Sequence, residues 1–279
     1  MRESNHYRYL CTLIAFVVLS LMLLSSADAG VGVSPKVVIY NPGSRSMPIT
    51  ISNPSDDNVE ISVSAVIGYV TSNDTGASIL VYDSTDATIP SAARWIQFYP
   101  TRFFLGPHEA QIVRLVATPP PGTRDGEYWA RLIFASQSSK AFTKLSKNSG
   151  MIVIHRIAIP FHYRVGQVST GLEVSDLRAS GDDKHVTVRM NTIRTGNAAY
   201  WGSVTVRLVN RNGVVVKSRQ KDVAVYRTYV VKVDLERENI PPGDYRVDVK
   251  FETNSRKDVA DTKLVQAAPI IMRTDVSLP

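Results

Sequence analysis

Beyond residue 30 the chain is written in short runs where apolar and polar residues alternate, each run closed by Gly, Pro, Asn or Asp. A period of two puts every second side chain on one face of an extended strand, and no long stretch carries the helical period. A chain of this kind buries its apolar faces by stacking sheets, so an all-β fold is expected. Residues 46–52 and 59–70 read as early strands. Asn53-Pro54-Ser55-Asp56-Asp57 separates them, because proline interrupts a ladder and the Asx residues suit a turn. Residues 111–116 and 128–134 follow as strands, and 151–165 is the longest apolar run of this region. Residues 135–150, rich in Ser and Lys, read as a long loop of the kind that carries function.

The second half repeats the style. Residues 185–190 put Val186, Val188 and Met190 on one face. Asn212-Gly213 between the β-rich runs 203–209 and 214–217 signals a hairpin, because both residues accept positive φ. Runs 229–235, 245–253 and 260–272 complete about seven strands over ~105 residues, as an immunoglobulin-like sandwich needs. One internal correspondence links the halves. Pro121-Gly122 leads into Asp125-Gly126-Glu127-Tyr128, and Pro242-Gly243 into Asp244-Tyr245; each Tyr is followed at every second position by apolar residues that end in Phe134 and Phe251. A Tyr opening a late strand just after a turn suits the corner tyrosine of a sandwich. Two tandem immunoglobulin-like β-sandwich domains are expected, at 30–165 and 166–279.

The first 29 residues stand apart. Arg2 and Arg8 open a basic start, 10–24 is an almost unbroken apolar run, and Ala27-Asp28-Ala29 supplies an Ala-x-Ala site. This is the pattern of a secretory signal peptide cleaved after Ala29, and the run is shorter than the ~20 residues of a membrane span. Export to the periplasm is expected, with secretion or the cell surface as the alternative, and no membrane span after cleavage. The single cysteine, Cys11, leaves with the signal. The net charge of +7 survives cleavage and divides into 12 basic and 9 acidic residues at 30–166 and 18 and 14 beyond, so no concentrated stripe marks a nucleic-acid binder.

Residues for catalysis do not assemble. His155 and His162 are seven apart, so one straight strand faces them opposite ways and they share no metal. His108 and His185 sit among turn residues, as do Asp56-Asp57 and Asp182-Asp183. No zinc-protease spacing, nucleophile elbow or phosphate loop is present. An enzyme is not expected, nor any cofactor or metal.

Several segments, in order, resemble the periplasmic pilus-assembly chaperones of the chaperone–usher pathway. They are Gly32-Val33-Ser34-Pro35-Lys36-Val37-Val38-Ile39-Tyr40, Ile49-Thr50-Ile51-Ser52-Asn53-Pro54, Tyr99-Pro100-Thr101-Arg102-Phe103-Phe104-Leu105-Gly106-Pro107, Gln111-Ile112-Val113-Arg114-Leu115, Gly126-Glu127-Tyr128-Trp129 and residues 157–164. The resemblance spans about 130 residues; the second half is similar only as another immunoglobulin-like domain. It implies a non-enzymatic chaperone that binds an exported β-rich, pilin-like subunit, with an outer-membrane usher as a further partner. In that family the last strand of the first domain adds to the subunit's open groove, which is β-augmentation. Here that strand is 151–160, presenting either Ile152 and Ile154 or Val153, Ile157 and Ile159; a one-residue slip exchanges the faces, so both stay open. Two basic residues of the family hold the subunit's terminal carboxylate. Lys36 matches the first, with Lys in place of Arg. The second position falls on Pro160, which cannot serve; Arg156, on the same strand face, is the substitute. The alternative is a structural or adhesive protein of tandem immunoglobulin-like modules, in which strand 151–165 is paired on both edges.

Overall fold

A computed structural model describes residues 30–40, 43, 44, 46–82, 86–138, 153–253, 256 and 258–279. The signal-peptide reading for 1–29 and most of the Ser/Lys-rich segment lie outside them. Among the described residues, eleven strands form the first half: β1 (Gly32–Ser34), β2 (Val38–Tyr40), β3 (Met47–Ser52), β4 (Val59–Val66), β5 (Gly68–Ser72), β6 (Ser78–Tyr82), β7 (Ile96–Tyr99), β8 (Arg102–Leu105), β9 (Ala110–Ala117), β10 (Gly126–Ser138) and β11 (Ile154–Val165). Seven form the second: β12 (Thr170–Gly181), β13 (His185–Gly196), β14 (Tyr200–Val209), β15 (Val215–Val225), β16 (Thr228–Glu236), β17 (Gly243–Glu252) and β18 (Ile270–Leu278).

The alternation of the sequence becomes the two faces of each sheet. In the first half a sheet ordered β1-β3-β9-β7 stacks on one ordered β2-β11-β10-β4-β8. Ile49 and Ile51, Val113 and Leu115, Leu132 and Phe134, and Ile159 and Phe161 meet between them. In the second half β12-β13-β16 stacks on β15-β14-β17-β18. There the core takes Val186, Val188 and Met190 from one layer and Val204, Val206, Val249 and Phe251 from the other. The fold is all-β, two sandwiches in tandem. Tyr128 and Tyr245 play matching parts: each hydroxyl donates to the carbonyl four residues back, Arg124 at 3.0 Å and Pro241 at 2.9 Å. Both are the corner tyrosines that the internal correspondence pointed to.

Turn chemistry also follows the sequence. Asn53, buried, donates through Nδ2 to the carbonyls of Asp57 and Gly106, and its Oδ1 accepts from Ser55, so it pins the predicted loop. The hairpin between β14 and β15 forms where the sequence placed it, but Gly213 alone takes a positive φ, 79°, and Asn212 does not; instead Asn210 Oδ1 accepts from the amides of Asn212 and Val214 and closes the turn.

Three expectations are corrected. The run 59–70 is two strands, because the chain breaks at Ile67 and β5 leaves to pair with β6 in a separate hairpin. The loop expected from residue 135 begins later: β10 continues to Ser138, held between β4 and β11. The run 260–272 does not extend as one strand; β18 starts at Ile270, immediately after Pro269, and Leu264 turns into the joint between the sandwiches.

Candidate functional site

β11 is paired along its whole length with β10, from Gln137↔Ile154 to Gly126↔Val165. On its other side β2 runs parallel to it only at Phe161, His162 and Tyr163. Among the described residues, the stretch from Ile154 to Pro160 therefore has a strand partner on one side only, and Gly30 comes close to the His155 side chain there. Such an edge leaves every second N–H and C=O unpaired, and proline is tolerated there because its missing N–H falls on the open side. Pro160 sits opposite Arg131 within this ladder. Ala158 and Arg156, two and four residues before it, turn their backbone groups to the same open side.

The faces left open by the sequence now separate. Ile159 is 5% exposed and Ile157 packs against the same core, so both belong to the inside of the first sandwich. They are not available to a partner in this form, because their parity is that of Phe161 and Tyr163 in the core. Ile154 is 49% exposed and Arg156 is exposed. They share a shallow hollow of about 160 Å³ with Glu60, Ser62, Arg102 and Gln137. Arg102 pairs with Glu60 at 3.1 Å and Gln137 donates to the same carboxylate at 2.9 Å, leaving Arg156 as the guanidinium without a partner among the described residues. Val153 is also exposed, and Ile152 lies outside the described residues. Lys36 is exposed in the bend between β1 and β2, two residues before the Val38↔Phe161 pairing. It stands at the end of the open edge where β2 joins and is not among the residues of the Arg156 hollow.

Behind this edge, on the face of β10 and β11 turned to the second sandwich, sits a buried ionic cluster that the sequence reading missed. Glu127 is 2% exposed. Its Oε1 accepts from His162 Nδ1 at 2.9 Å, Trp129 Nε1 at 3.2 Å and the Ala199 amide at 3.2 Å, and its Oε2 from Arg164 Nε at 2.9 Å. Burial pushes the Glu127 carboxyl up, but the charges and hydrogen bonds of His162 and then Arg164 outweigh it and hold it at about 2. An ionised carboxylate only accepts, so His162 Nδ1 carries hydrogen. His162 Nε2 meets the Tyr226 hydroxyl at 3.1 Å. Burial pushes Tyr226 up to about 12, so that hydroxyl keeps its proton. Around the cluster Ile39 and Trp129 from the first sandwich pack against Ala199, Trp201 and Tyr226 from the second. The signal for it was present: Glu127 and Trp129, His162 and Arg164 each alternate within one strand, and Glu127↔Arg164 and Trp129↔His162 face each other in register.

The hairpin β5–β6 reaches from the first half onto β16. Thr71 Oγ1 donates to the Thr228 carbonyl at 3.1 Å, Ser72 Oγ accepts from the Val230 amide at 2.6 Å, and Ser78 Oγ meets Tyr229 OH at 2.5 Å. Hydroxyls thus satisfy the edge of β16. Asp86 adds an ion pair to Arg227 at 2.8 Å. No group of three His, Cys, Asp or Glu able to hold a metal occurs among the described residues.

No protein-family model matches the chain, and no curated protein sequence does. Solved structures do. The chain is similar to the YadV chaperone at 11% identity, with a TM-score of 0.48 over 88% of this chain and 100% of that one. It is similar to a chain of the CsuC–CsuE chaperone–tip adhesion subunit pre-assembly complex of Acinetobacter baumannii Csu pili at 11% identity, TM-score 0.45, over 90% and 100%. A third is a chain of the Salmonella enterica SafA pilin complex with the SafB chaperone, at 14% identity, TM-score 0.40, over 89% and 98%. All three structures contain a chaperone.

Proposed function

We propose that this chain is a periplasmic, non-enzymatic chaperone that captures an exported β-rich, pilin-type subunit by strand addition at β11. The observation that carries the reading is the one-sided pairing of Ile154–Pro160. A single open edge seven residues long offers main-chain donors and acceptors to an incoming strand, and the exposed Ile154 offers an apolar anchor. Arg156 and Lys36, both exposed and both at this edge, would receive a terminal carboxylate, since charge-assisted pairs hold such a group best. The adhesive-module alternative expects a strand paired on both edges; among the described residues β11 is so paired only at Phe161, His162 and Tyr163. In this reading residues 30–165 form the capturing domain, 166–279 the supporting one, and Ile152 extends the apolar edge.

The test separates the edge from the fold. Ala158→Pro removes one outward N–H while leaving the ladder with β10 intact. Combined with Ile154→Asp, it is expected to lower recovery of a co-expressed exported subunit by about tenfold or more, equivalent to ~1.4 kcal/mol. Circular dichroism and the unfolding midpoint should stay near those of the unaltered chain. Undiminished recovery of the subunit by the doubly altered chain would sink the proposal. Lys36→Ala and Arg156→Ala address the carboxylate: both should weaken capture, and a subunit with an amidated terminus should be indifferent to them.

A further inference from the structure

Away from the open edge, the outer face of the β12-β13-β16 sheet carries an arrangement that works against stability. Arg178 lies directly opposite Arg189, and Arg189 directly opposite Lys232. Residues in register across antiparallel strands hold their Cβ atoms about 4.5–5.5 Å apart, and like charges so placed repel. Three cations therefore make one row across three strands. β15 adds to it from the side: Lys221 Nζ donates to the Lys232 carbonyl at 3.0 Å and Arg219 to the Asp234 carbonyl at 2.6 Å, bringing two more positive heads to β16. Asp234 pairs with Lys232 at 3.2 Å and Asp176 lies 3.8 Å from Arg178, which offsets part of this charge. Arg189 has no ion pair or hydrogen bond among the described residues.

The row is shaped as well as charged. A bulge between Ser175 and Arg178, with Asp176 at φ 51°, shifts the register of β12 and brings Arg178 level with Arg189. Arg178, Arg189, Asn191 and Asp176 line a hollow of about 260 Å³. Asn191 Nδ2 donates to Asp176 Oδ2 at 2.8 Å, so one oxygen of the hollow's single carboxylate is already engaged. Two guanidinium groups at the rim of a small hollow suit phosphate, which they bind bidentately. The spacing of the row also chooses among anions. An extended acidic peptide repeats its same-face carboxylates about 6.6–6.8 Å apart, whereas neighbouring strands are about 4.8 Å apart, so more closely set charges fit better. We propose that this face binds a soluble ligand bearing clustered phosphate groups, with Arg178 and Arg189 as the fork and Lys232 as the neighbouring point charge.

The experiment is a calorimetric titration of the full chain with inorganic tripolyphosphate at low salt, beside flotation with phosphatidylglycerol vesicles. Arg178→Gln with Arg189→Gln is expected to weaken tripolyphosphate binding about tenfold or more. Arg114→Gln, which removes one charge from the other sandwich, should change it by less than about twofold. Arg189→Thr alone should raise the unfolding midpoint while weakening binding, because it relieves repulsion. No binding of tripolyphosphate, undiminished binding by the double variant, attachment to vesicles alone, or a lower midpoint for Arg189→Thr would each overturn the proposal.

Discussion

Glu127 concentrates the chemistry of this molecule in one side chain. A buried carboxylate persists as an ion only when its charge is answered, and His162 and Arg164 answer it from one strand. Glu127→Gln leaves Arg164 without its carboxylate and is expected to destabilise the chain by about 3–5 kcal/mol, measured by denaturant unfolding. Its pKa is depressed from 4.5 to about 2, so its contribution is fully present above pH 4.5 and is lost as pH falls toward 2. Unfolding midpoints between pH 5 and 2 should therefore fall steeply in the unaltered chain and less steeply in Glu127→Gln. Gly202 is the second decisive residue. A Cβ there would meet the Glu252 carbonyl oxygen at 2.2 Å, a backbone atom that cannot step aside. Gly202→Ala is expected to cost at least about 1–3 kcal/mol by the same measurement. Sequence reasoning met Glu127 in the internal correspondence and in a family-like motif without giving it a partner, and gave Gly202 no role. Trp129 apart, their partners lie far off in the chain: His162 and Arg164 arrive from β11, Ala199 from just before β14, and Glu252 from β17.

At the scale of elements, the strands were legible wherever alternation met a turn signal, as at Asn53, Asn210-Gly213 and the two Tyr corners. Legibility failed where pairing overrode composition. Ala135–Ser138 is polar enough to read as loop, yet β4 pairs with all of it and β11 with Ala135, Ser136 and Gln137, which holds it in β10. The face of β11 was likewise undetermined, since both parities are apolar between 152 and 159; Phe161 and Tyr163 in the core assign Ile157 and Ile159 inward. The hairpin β5–β6 is the element whose task no local pattern announced. Ser72→Ala together with Thr71→Ala removes two bonds to β16 and should cost about 1–3 kcal/mol in all. Hydrogen exchange at Val230 is the direct check, since its amide donates to Ser72; unchanged protection there would argue against the arm as the cover of that edge.

At the scale of the whole molecule, the two cores are joined by a third built from both halves. Trp129 stacks edge-on to Tyr226 at 4.9 Å, His162 edge-on to Trp201 at 4.7 Å, and Arg256 lies over Trp201 at 4.8 Å. With so much buried surface in common, the sandwiches should unfold together. Trp129→Ala with Tyr226→Ala is expected to split the single calorimetric transition into two, each near the stability of one isolated sandwich. The amino-acid sequence by itself determined that this chain would form stacked sheets, where its main turns fall and which residues face inward wherever only one parity is apolar, because those follow from a period of two and from local backbone preferences. Only the tertiary structure decided which strand keeps an open edge, which of its faces is free, and that a glutamate, a histidine and an arginine meet where the sandwiches join. These depend on pairing between segments far apart in the chain: strand order sets the edge, and a one-residue difference in register would have exchanged the faces of β10 and β11.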